Sequence, residues 1–388
     1  MKRVVPWLLL VGAALASPAP ARAGGIGTVF YIDMENHNLT QPNPSSSPQQ
    51  LLGNSAAPYL NSLITPGNPN AAQTSYAPNY YNVAPGIHPS EPNYIWQEGG
   101  SNFGVSNDND PSVANGNIFN KPSLSGLLQA KYGTAGWKAY AEDMQYSTLL
   151  NGVPVTSASG TGAINQYNGS NQYNFAPKHV GQLFFSSTTG LNNPGQGQYY
   201  AQLSQLQADL NSNNLAKYNL ITPNQYNDMH SALSGGFTDP RTGIHYTGDQ
   251  ASVAQGDYFL SQIVPQIMAS QAYKNNGAIV IWYDETEGGD TTQFTLPEIV
   301  ISPLAKGNAY ASPLSYTHSS DLKTLEELFG VYGPGGAFLG DANTPGTNDL
   351  SDLFVTGAIV PEPTSLSLFG LGAAALVGWR WRRRKSAA

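Results

Sequence analysis

The chain contains no cysteine. That excludes disulfides, thiolate metal sites and a cysteine nucleophile together. Charge is also scarce: 11% of the 388 residues are Asp, Glu, Lys or Arg, and Asn, Gln, Ser, Thr and Gly carry much of the polarity instead. Basic residues are scarcest in the body of the chain. Eight of the 17 Lys and Arg fall at the two ends (Lys2, Arg3, Arg22, Arg380, Arg382, Arg383, Arg384, Lys385) with one acid, Glu362, leaving nine basic and 24 acidic residues and a formal net charge of −15. Such a surface repels nucleic acid and anionic lipid at long range, so no nucleic-acid partner is expected. A small phosphorylated substrate at a metal-neutralised site stays open. No internal repeat is visible. The 40% hydrophobic content is enough for a core, and the length allows one large or two ordinary domains.

Both ends read as targeting segments rather than fold. Residues 1–23 have the form of a secretory signal: Lys2 and Arg3, the apolar stretch Val4–Ala16, then Ala21-Arg22-Ala23 as an A-x-A cleavage site. At the other end, Val360-Pro361-Glu362-Pro363 precedes the apolar run Leu366–Trp379 and the basic cluster from Arg380 to Lys385. This resembles the PEP-CTERM sorting signal of Gram-negative bacteria, which implies an exosortase-type partner in the inner membrane. The run is shorter than the ~20 residues of a comfortable span, and its basic end would stay cytoplasmic. The expected organisation is a signal peptide over 1–23, one catalytic domain over 24–355, and a sorting segment over 356–388 with a short transmembrane helix and basic tail. The expected destination is export, transient anchoring, then the cell surface or exterior.

Between the ends, apolar strands alternate with amphipathic helices. Strands are predicted over Gly27–Asp33, Tyr218–Ile221, Gly277–Tyr283 and Glu298–Ser302. Helices are predicted over Leu124–Tyr132, stopped by Gly133, over Leu203–Leu210, and over Asp257–Tyr273 with a kink at Pro265. A last helix is predicted over Asp321–Phe329, capped by Ser320 and ended by Gly330. Residues 38–58 and 145–175 read as loops, and Ser90 as part of a rigid turn between prolines. This alternation implies an α/β fold, a sheet layered between helices.

Two apolar strands, far apart in sequence, run straight into acids: Thr28–Ile32 into Asp33-Met34-Glu35-Asn36, and Ile279–Tyr283 into Asp284-Glu285. In open α/β sheets the carboxyl ends of strands are where ligands bind. Two such ends side by side would gather hard oxygen ligands suited to one divalent cation, Mg²⁺, Ca²⁺ or Mn²⁺. On strand chemistry alone, Asp33 and Glu35 are equal candidates.

His88-Pro89-Ser90-Glu91-Pro92-Asn93-Tyr94 resembles the H-P-S-x-P-N-Y segment of the phosphoesterase family, which holds acid phosphatases and phospholipase C-type enzymes of the alkaline phosphatase superfamily. Further elements follow in that family's order: Glu35-Asn36-His37, Trp137 to Met144 (W-x-x-Y-x-E-D-M), Lys178-His179, Ile221-Thr222-Pro223-Asn224 with Asn227-Asp228-Met229-His230, Gly256-Asp257, Asp284-Glu285, and Tyr316-Thr317-His318-Ser319-Ser320 leading into Leu325 to Gly330. The resemblance spans roughly residues 26–355 and implies an alkaline-phosphatase-like three-layer sandwich. It further implies Glu35, Asn36, Asp284 and Glu285 as metal ligands, Ser90 as nucleophile, and His179 and His230 in the phosphoryl pocket. His88, Asn93, Asp228 and His318 fall to substrate binding; Glu142 and Asp143, after a helix-like segment, fall to support or the pocket rim. A metal would lower the pKa of the serine hydroxyl, and imidazoles bind phosphoryl oxygens as cations or protonate a leaving alkoxide. His245 lies outside the motifs and reads as surface.

The chain departs from the pattern where Thr286-Glu287 intervenes before Gly288-Gly289-Asp290, and where Val180 follows Lys178-His179. The expected function is an exported, metal-dependent phosphoesterase acting through a phosphoserine on a small-molecule or lipid phosphate ester. A phospholipase C-type phosphodiesterase and a surface or biofilm-matrix binding protein on a catalytically weak fold are the alternatives.

Overall fold

The computed structural model describes residues 25–359, apart from 84–85, 157, 161–172 and 192. The expected signal segment and all of the sorting segment from residue 360 onward lie outside these. Among the described residues no helix is long and apolar enough to cross a membrane.

Eight strands form the central sheet: β1 (Val29–Met34), β2 (Thr74–Tyr76), β3 (Trp137–Ala141), β4 (Tyr200–Gln202), β5 (Tyr218–Thr222), β6 (Ala278–Tyr283), β7 (Ile299–Ile301) and β8 (Tyr310–Ala311). Their order is β8-β2-β7-β6-β1-β5-β3-β4, and every strand but β7 runs in one direction. The central strands are buried on both faces, as their continuous apolar runs require. Ile32, Ile279 and Ile281 are fully buried, a contribution of about 1.5–3 kcal/mol each.

Among the described residues seven α-helices accompany the sheet: α1 (Pro58–Leu63), α2 (Ser90–Gly99), α3 (Leu124–Tyr132), α4 (Leu206–Ser212), α5 (Asp249–Ala269), α6 (Gln271–Lys274) and α7 (His318–Phe329). α2 and α7 cover one face, where Gln97 reaches Asp33 and Trp282 packs on Tyr94 and His318. α1 and α5 pack together on the other face, where Asp257 of α5 accepts the backbone N–H groups of Tyr59 and Leu60. The architecture is the expected α/β arrangement, a mostly parallel sheet between helices.

Local differences from the sequence reading have physical causes. Ser90 opens a helix rather than sitting in a turn, because Pro92 falls in the first turn, where a missing N–H costs nothing. α5 starts at Asp249, eight residues before Asp257, since Gly256 is an interior helical residue packed on Met229. It continues as one helix through Pro265. α7 starts at His318: Thr317 is the cap and Ser320 closes the capping box from the third position. Trp137–Ala141 is a strand, not helix-like. Residues 38–58 are irregular as expected, yet Asn38, Leu39, Leu51, Ala56 and Ala57 are buried.

Candidate functional site

β6, β1 and β5 are neighbours with matched ends: Met34 pairs with Tyr283, and Ile32 with Ile221. Three segments therefore leave the sheet at one edge: Glu35-Asn36 after β1, Asn224 to His230 after β5, and Asp284-Glu285 after β6. Backbone bonds tie them together. Glu35 N–H donates to the Asp228 carbonyl (2.9 Å), and Asn36 N–H to Asp284 Oδ1 (3.1 Å). Asn36 and Met229 both take the left-handed conformation, at φ 51° and 84°, strain of a kind that clusters at functional sites.

Ser90 is carried to this edge by α2. Its hydroxyl lies 3.2 Å from Glu35 Oε2 and 3.3 Å from Glu285 Oε1. Glu35 is fully buried and two-sided. Its Oε2 faces Ser90, while its Oε1 accepts the Tyr94 hydroxyl (2.6 Å) and lies 3.2 Å from His179 Nε2. Glu35, His179 and Asp228 each offer a ligand atom, all within 4.8 Å of one another. The Tyr94 ring stacks on His179 at 4.9 Å. His230 N–H donates to Asp228 Oδ1 (2.7 Å), and the His230 ring lies 6.2 Å from that of His179.

The remaining sequence-predicted residues fall around this centre. His88 Nδ1 is 2.6 Å from Glu285 Oε2, and its Nε2 is 3.1 Å from Asp290 Oδ1. Asn93 donates to Glu285 Oε2 (3.3 Å) and to the Ile87 carbonyl (2.8 Å). His318 is buried between Trp282 and Tyr80, against the main chain of Tyr283 and Asp284. His37 lies behind the site, between the Glu35 carbonyl and Asp249. Asp33 points to the α2 face, held by Gln97 and Thr222. Glu142 accepts from the Asn224 backbone N–H and from Asn227, bracing the turn that presents Asp228. His245 is exposed.

Burial of acids dominates the electrostatics. Burial, and after it the neighbouring carboxylates, raises Glu35, Asp228 and Asp284 above the usual carboxylate range. Burial lowers His179 well below the usual imidazole value and takes His230 and His318 down to about 4. Burial thus favours the neutral form of these rings. His88 is the exception, raised to about 9 chiefly by its hydrogen bond to Glu285. Asp284 Oδ2, Asn36 Oδ1 and His179 Nε2 are buried without hydrogen-bond partners. Orphaned oxygens and an imidazole nitrogen amid mutually repelling carboxylates are what a divalent cation would satisfy. The donor set fits one.

Sequence reasoning missed the pairing of His179 and Asp228 with Glu35, which depends on β1 and β5 being neighbours. It also missed Asp108, the partner of Lys178, whereas Lys178 stood in the Lys178-His179 motif and Asp290 at the Thr286-Glu287 departure.

A family model described as the phosphoesterase family matches residues 70–332, and one described as the PEP-CTERM protein-sorting motif matches 360–384. The chain is 27% identical over 337 residues to a phosphatidylinositol-3-phosphatase of Mycobacterium tuberculosis, covering 85% of this chain and 90% of that protein. It is 26% identical to a phosphate-repressible acid phosphatase of Penicillium chrysogenum, covering 65% of this chain and 51% of that protein. Among solved structures, a member of the alkaline phosphatase superfamily from Vibrio parahaemolyticus matches with a TM-score of 0.46 at 12% identity, over 83% of this chain and 71% of that one. The lipoteichoic acid synthase LtaP from Listeria monocytogenes matches with a TM-score of 0.46 at 11% identity, over 87% and 76%.

Proposed function

The chain belongs to the phosphoesterase family and is a phosphoric ester hydrolase, and from that premise we propose that it hydrolyses phosphate monoesters with Ser90 as nucleophile. The observation that carries this is the placement of Ser90: a serine hydroxyl at the start of α2, between two buried carboxylates and beside the Glu35–His179–Asp228 corner.

Glu35, Asn36, Asp284 and Glu285 would hold one divalent cation, with His179 and Asp228 offering a second set that shares Glu35. A cation there supplies positive charge against the phosphoryl oxygens and lowers the pKa of the serine hydroxyl. Glu35 and Glu285 orient the Ser90 hydroxyl, and its single proton passes to the Glu285 carboxylate as Oγ bonds to phosphorus. The bond to the leaving oxygen breaks in the same displacement. His179 and His230, uncharged, serve as hydrogen-bonding groups on the phosphoryl side. His88, charged and half-exposed, stands at the rim toward incoming anions. Water then cleaves the phosphoserine and restores the hydroxyl.

The Mycobacterium relative bears the name of a phosphatase acting on a lipid phosphate monoester, which favours a monoesterase over a phospholipase C-type diesterase and makes phosphorylated lipid headgroups a substrate class beside small molecules. The sorting motif implies export and surface sorting, with an exosortase as the processing partner. The decisive experiment is a phosphatase screen after chelation and metal add-back, with p-nitrophenyl phosphate, bis-p-nitrophenyl phosphate and phosphatidylinositol 3-phosphate vesicles. Monoester turnover restored by a divalent cation and lost in Ser90→Ala is expected. Monoester turnover unchanged in Ser90→Ala overturns the nucleophile assignment, and faster diester turnover overturns the monoesterase reading.

A further inference from the structure

The site holds an excess of negative charge, and its substrate is an anion. Glu35, Asp228, Asp284 and Glu285 surround Ser90, so the charge that receives a phosphoryl group has to be identified. Lys178 is the lysine whose charge bears on Glu35, Asp228, His179 and His230 alike. Other basic side chains, including Lys138, Arg241 and Lys306, are committed to carboxylates elsewhere in the fold. Lys178 is largely enclosed, at 13% side-chain exposure, and its partner is Asp108.

Asp108 occupies the seat that an anion would take. One of its oxygens pairs with Lys178, and the other accepts the backbone N–H of Glu91, the second residue of α2, at 3.2 Å. A helix N-terminus and an ammonium group converging on one carboxylate form an anion-recognition geometry. Both donors flank the chemistry: Glu91 follows Ser90, and Lys178 precedes His179. The His179 Nε2 is buried, without a hydrogen-bond partner, and lies 3.2 Å from Glu35 Oε1. Asp108 itself is a poorly anchored occupant. Its side chain is 36% exposed, and it belongs to an Asn- and Asp-rich segment fastened to α2 through Glu91, which accepts from the Asn109 N–H (2.6 Å) and the Asn117 side chain (2.8 Å). Those fastenings do not involve the Asp108 carboxylate, so it can leave Lys178 while its segment stays in place.

We propose that Lys178 is the cation that recognises the substrate phosphoryl group, and that Asp108 is its resting counter-ion, displaced when phosphate takes the same two partners. This rests on the phosphatase reading above and adds the residue that reads the phosphate. It makes two variants move affinity in opposite directions, which a purely structural ion pair would not do.

The test is equilibrium binding of inorganic phosphate by titration calorimetry, on full-length protein in a Ser90→Ala background so that turnover plays no part. Lys178→Met should weaken phosphate at least about tenfold, as expected for loss of a charge-assisted contact, and Lys178→Arg should retain most of the affinity. Asp108→Asn keeps an acceptor for Glu91 N–H but loses the competing charge; it should tighten phosphate by about three- to tenfold. Affinity within about twofold of the parent in Lys178→Met, or weaker binding in Asp108→Asn, overturns the proposal. Should Lys178→Met fail to fold by circular dichroism, Asp108→Asn decides alone. Hydrolysis by the wild type is measured separately. No turnover alongside Lys178-dependent phosphate binding overturns the catalytic reading only; turnover alongside Lys178-independent binding overturns this inference only.

Discussion

Glu35→Gln should make the cation-free protein more stable and remove its stabilisation by divalent cations, because Glu35 belongs to both candidate ligand sets. Ligand atoms of Glu35 and Asp228 lie within 4.8 Å. At an effective dielectric of about 20, two full charges at that distance repel by about 3 kcal/mol. Burial has raised both carboxyls, so protonation already relieves part of this, and the figure is a ceiling approached as the pH rises. The sign follows from linkage. An acid with a raised folded pKa holds its proton more tightly in the native state, so its contribution to stability is full at low pH and is lost as the pH climbs through the folded value. The chelated wild type should therefore lose stability from about pH 5 to 8, and Glu35→Gln should flatten that loss. With an unfolding entropy of about 0.7 kcal/mol per kelvin for a domain of about 330 residues, the ceiling corresponds to a melting point about 4 °C higher. The amide retains an acceptor for Tyr94, whose hydroxyl now donates to Glu35. Calorimetric melts in chelator and in Mg²⁺ or Mn²⁺ measure both effects. A variant that melts below the wild type in chelator throughout, or that keeps the full cation-induced rise, refutes the reading of these acids as a cation seat.

Other consequences are as direct. Ser90→Ala should lower kcat by about a thousandfold or more with little change in melting point, and an acid-quenched wild type should show a phosphorylated Ser90 peptide that the variant lacks. Glu98, fully buried, is pushed up to about 7 by burial against hydrogen bonds from Ser125 and Gln182. Its contribution to stability is full below about pH 4.5 and lost as the pH rises to about 7, so Glu98→Gln should flatten urea stability across that window by about 3 kcal/mol. A Cβ at Gly256 would lie 2.3 Å from Met229 Cγ; Gly256→Ala should cost about 1–3 kcal/mol in urea melts and raise KM by displacing the segment that carries Asp228 and His230.

How much of this was legible in the chain depends on how local each cause is. α3 matches its predicted bounds because its signals are local: Ser123 caps it through the Gly126 N–H, and Gly133 ends it. β1, β5 and β6 are legible as short, mostly apolar runs, and the acidic ends of β1 and β6 point to the site. The start of α5 is not, because Ser252, Gln255 and Gly256 look like surface residues and are buried only by tertiary packing. Trp137–Ala141 carries little alternation because four of its five residues are buried, so its period is uninformative. The ligand grouping is least legible. Glu35, His179 and Asp228 meet through the β1–β5 pairing and α2, and no spacing encodes that. Asp108 sits in an Asn-Asp-Asn-Asp run that reads as solvated loop, and only its contacts to Glu91 and Lys178 separate it from its neighbours.

The Thr286-Glu287 departure shows how a break in a motif can be absorbed by new contacts. Glu287 is clamped by Asn38 through its main chain, which donates to Asn38 Oδ1 (3.0 Å) and accepts from Asn38 Nδ2 (2.7 Å). Thr286 donates to Asp290 Oδ1 (2.8 Å), and the Asp290 carboxylate in turn faces His88 Nε2. The two extra residues thus carry Asp290 to the outer side of His88, opposite Glu285, so that the ring is held between two carboxylates. Gly86 makes room for this, since a Cβ there would lie 2.1 Å from Asp290 Oδ2. A His88 anchored on both sides can present a fixed, charged edge at the rim. Asp290→Ala should therefore leave His88 tethered only to Glu285. The expected result is a KM raised several-fold (about 1 kcal/mol) with kcat nearly unchanged, because on the proposed reading His88 guides the anion in and does not touch the reacting bond. An equal fall in kcat would place His88 in the displacement itself and move the boundary of the catalytic centre out to the inserted pair.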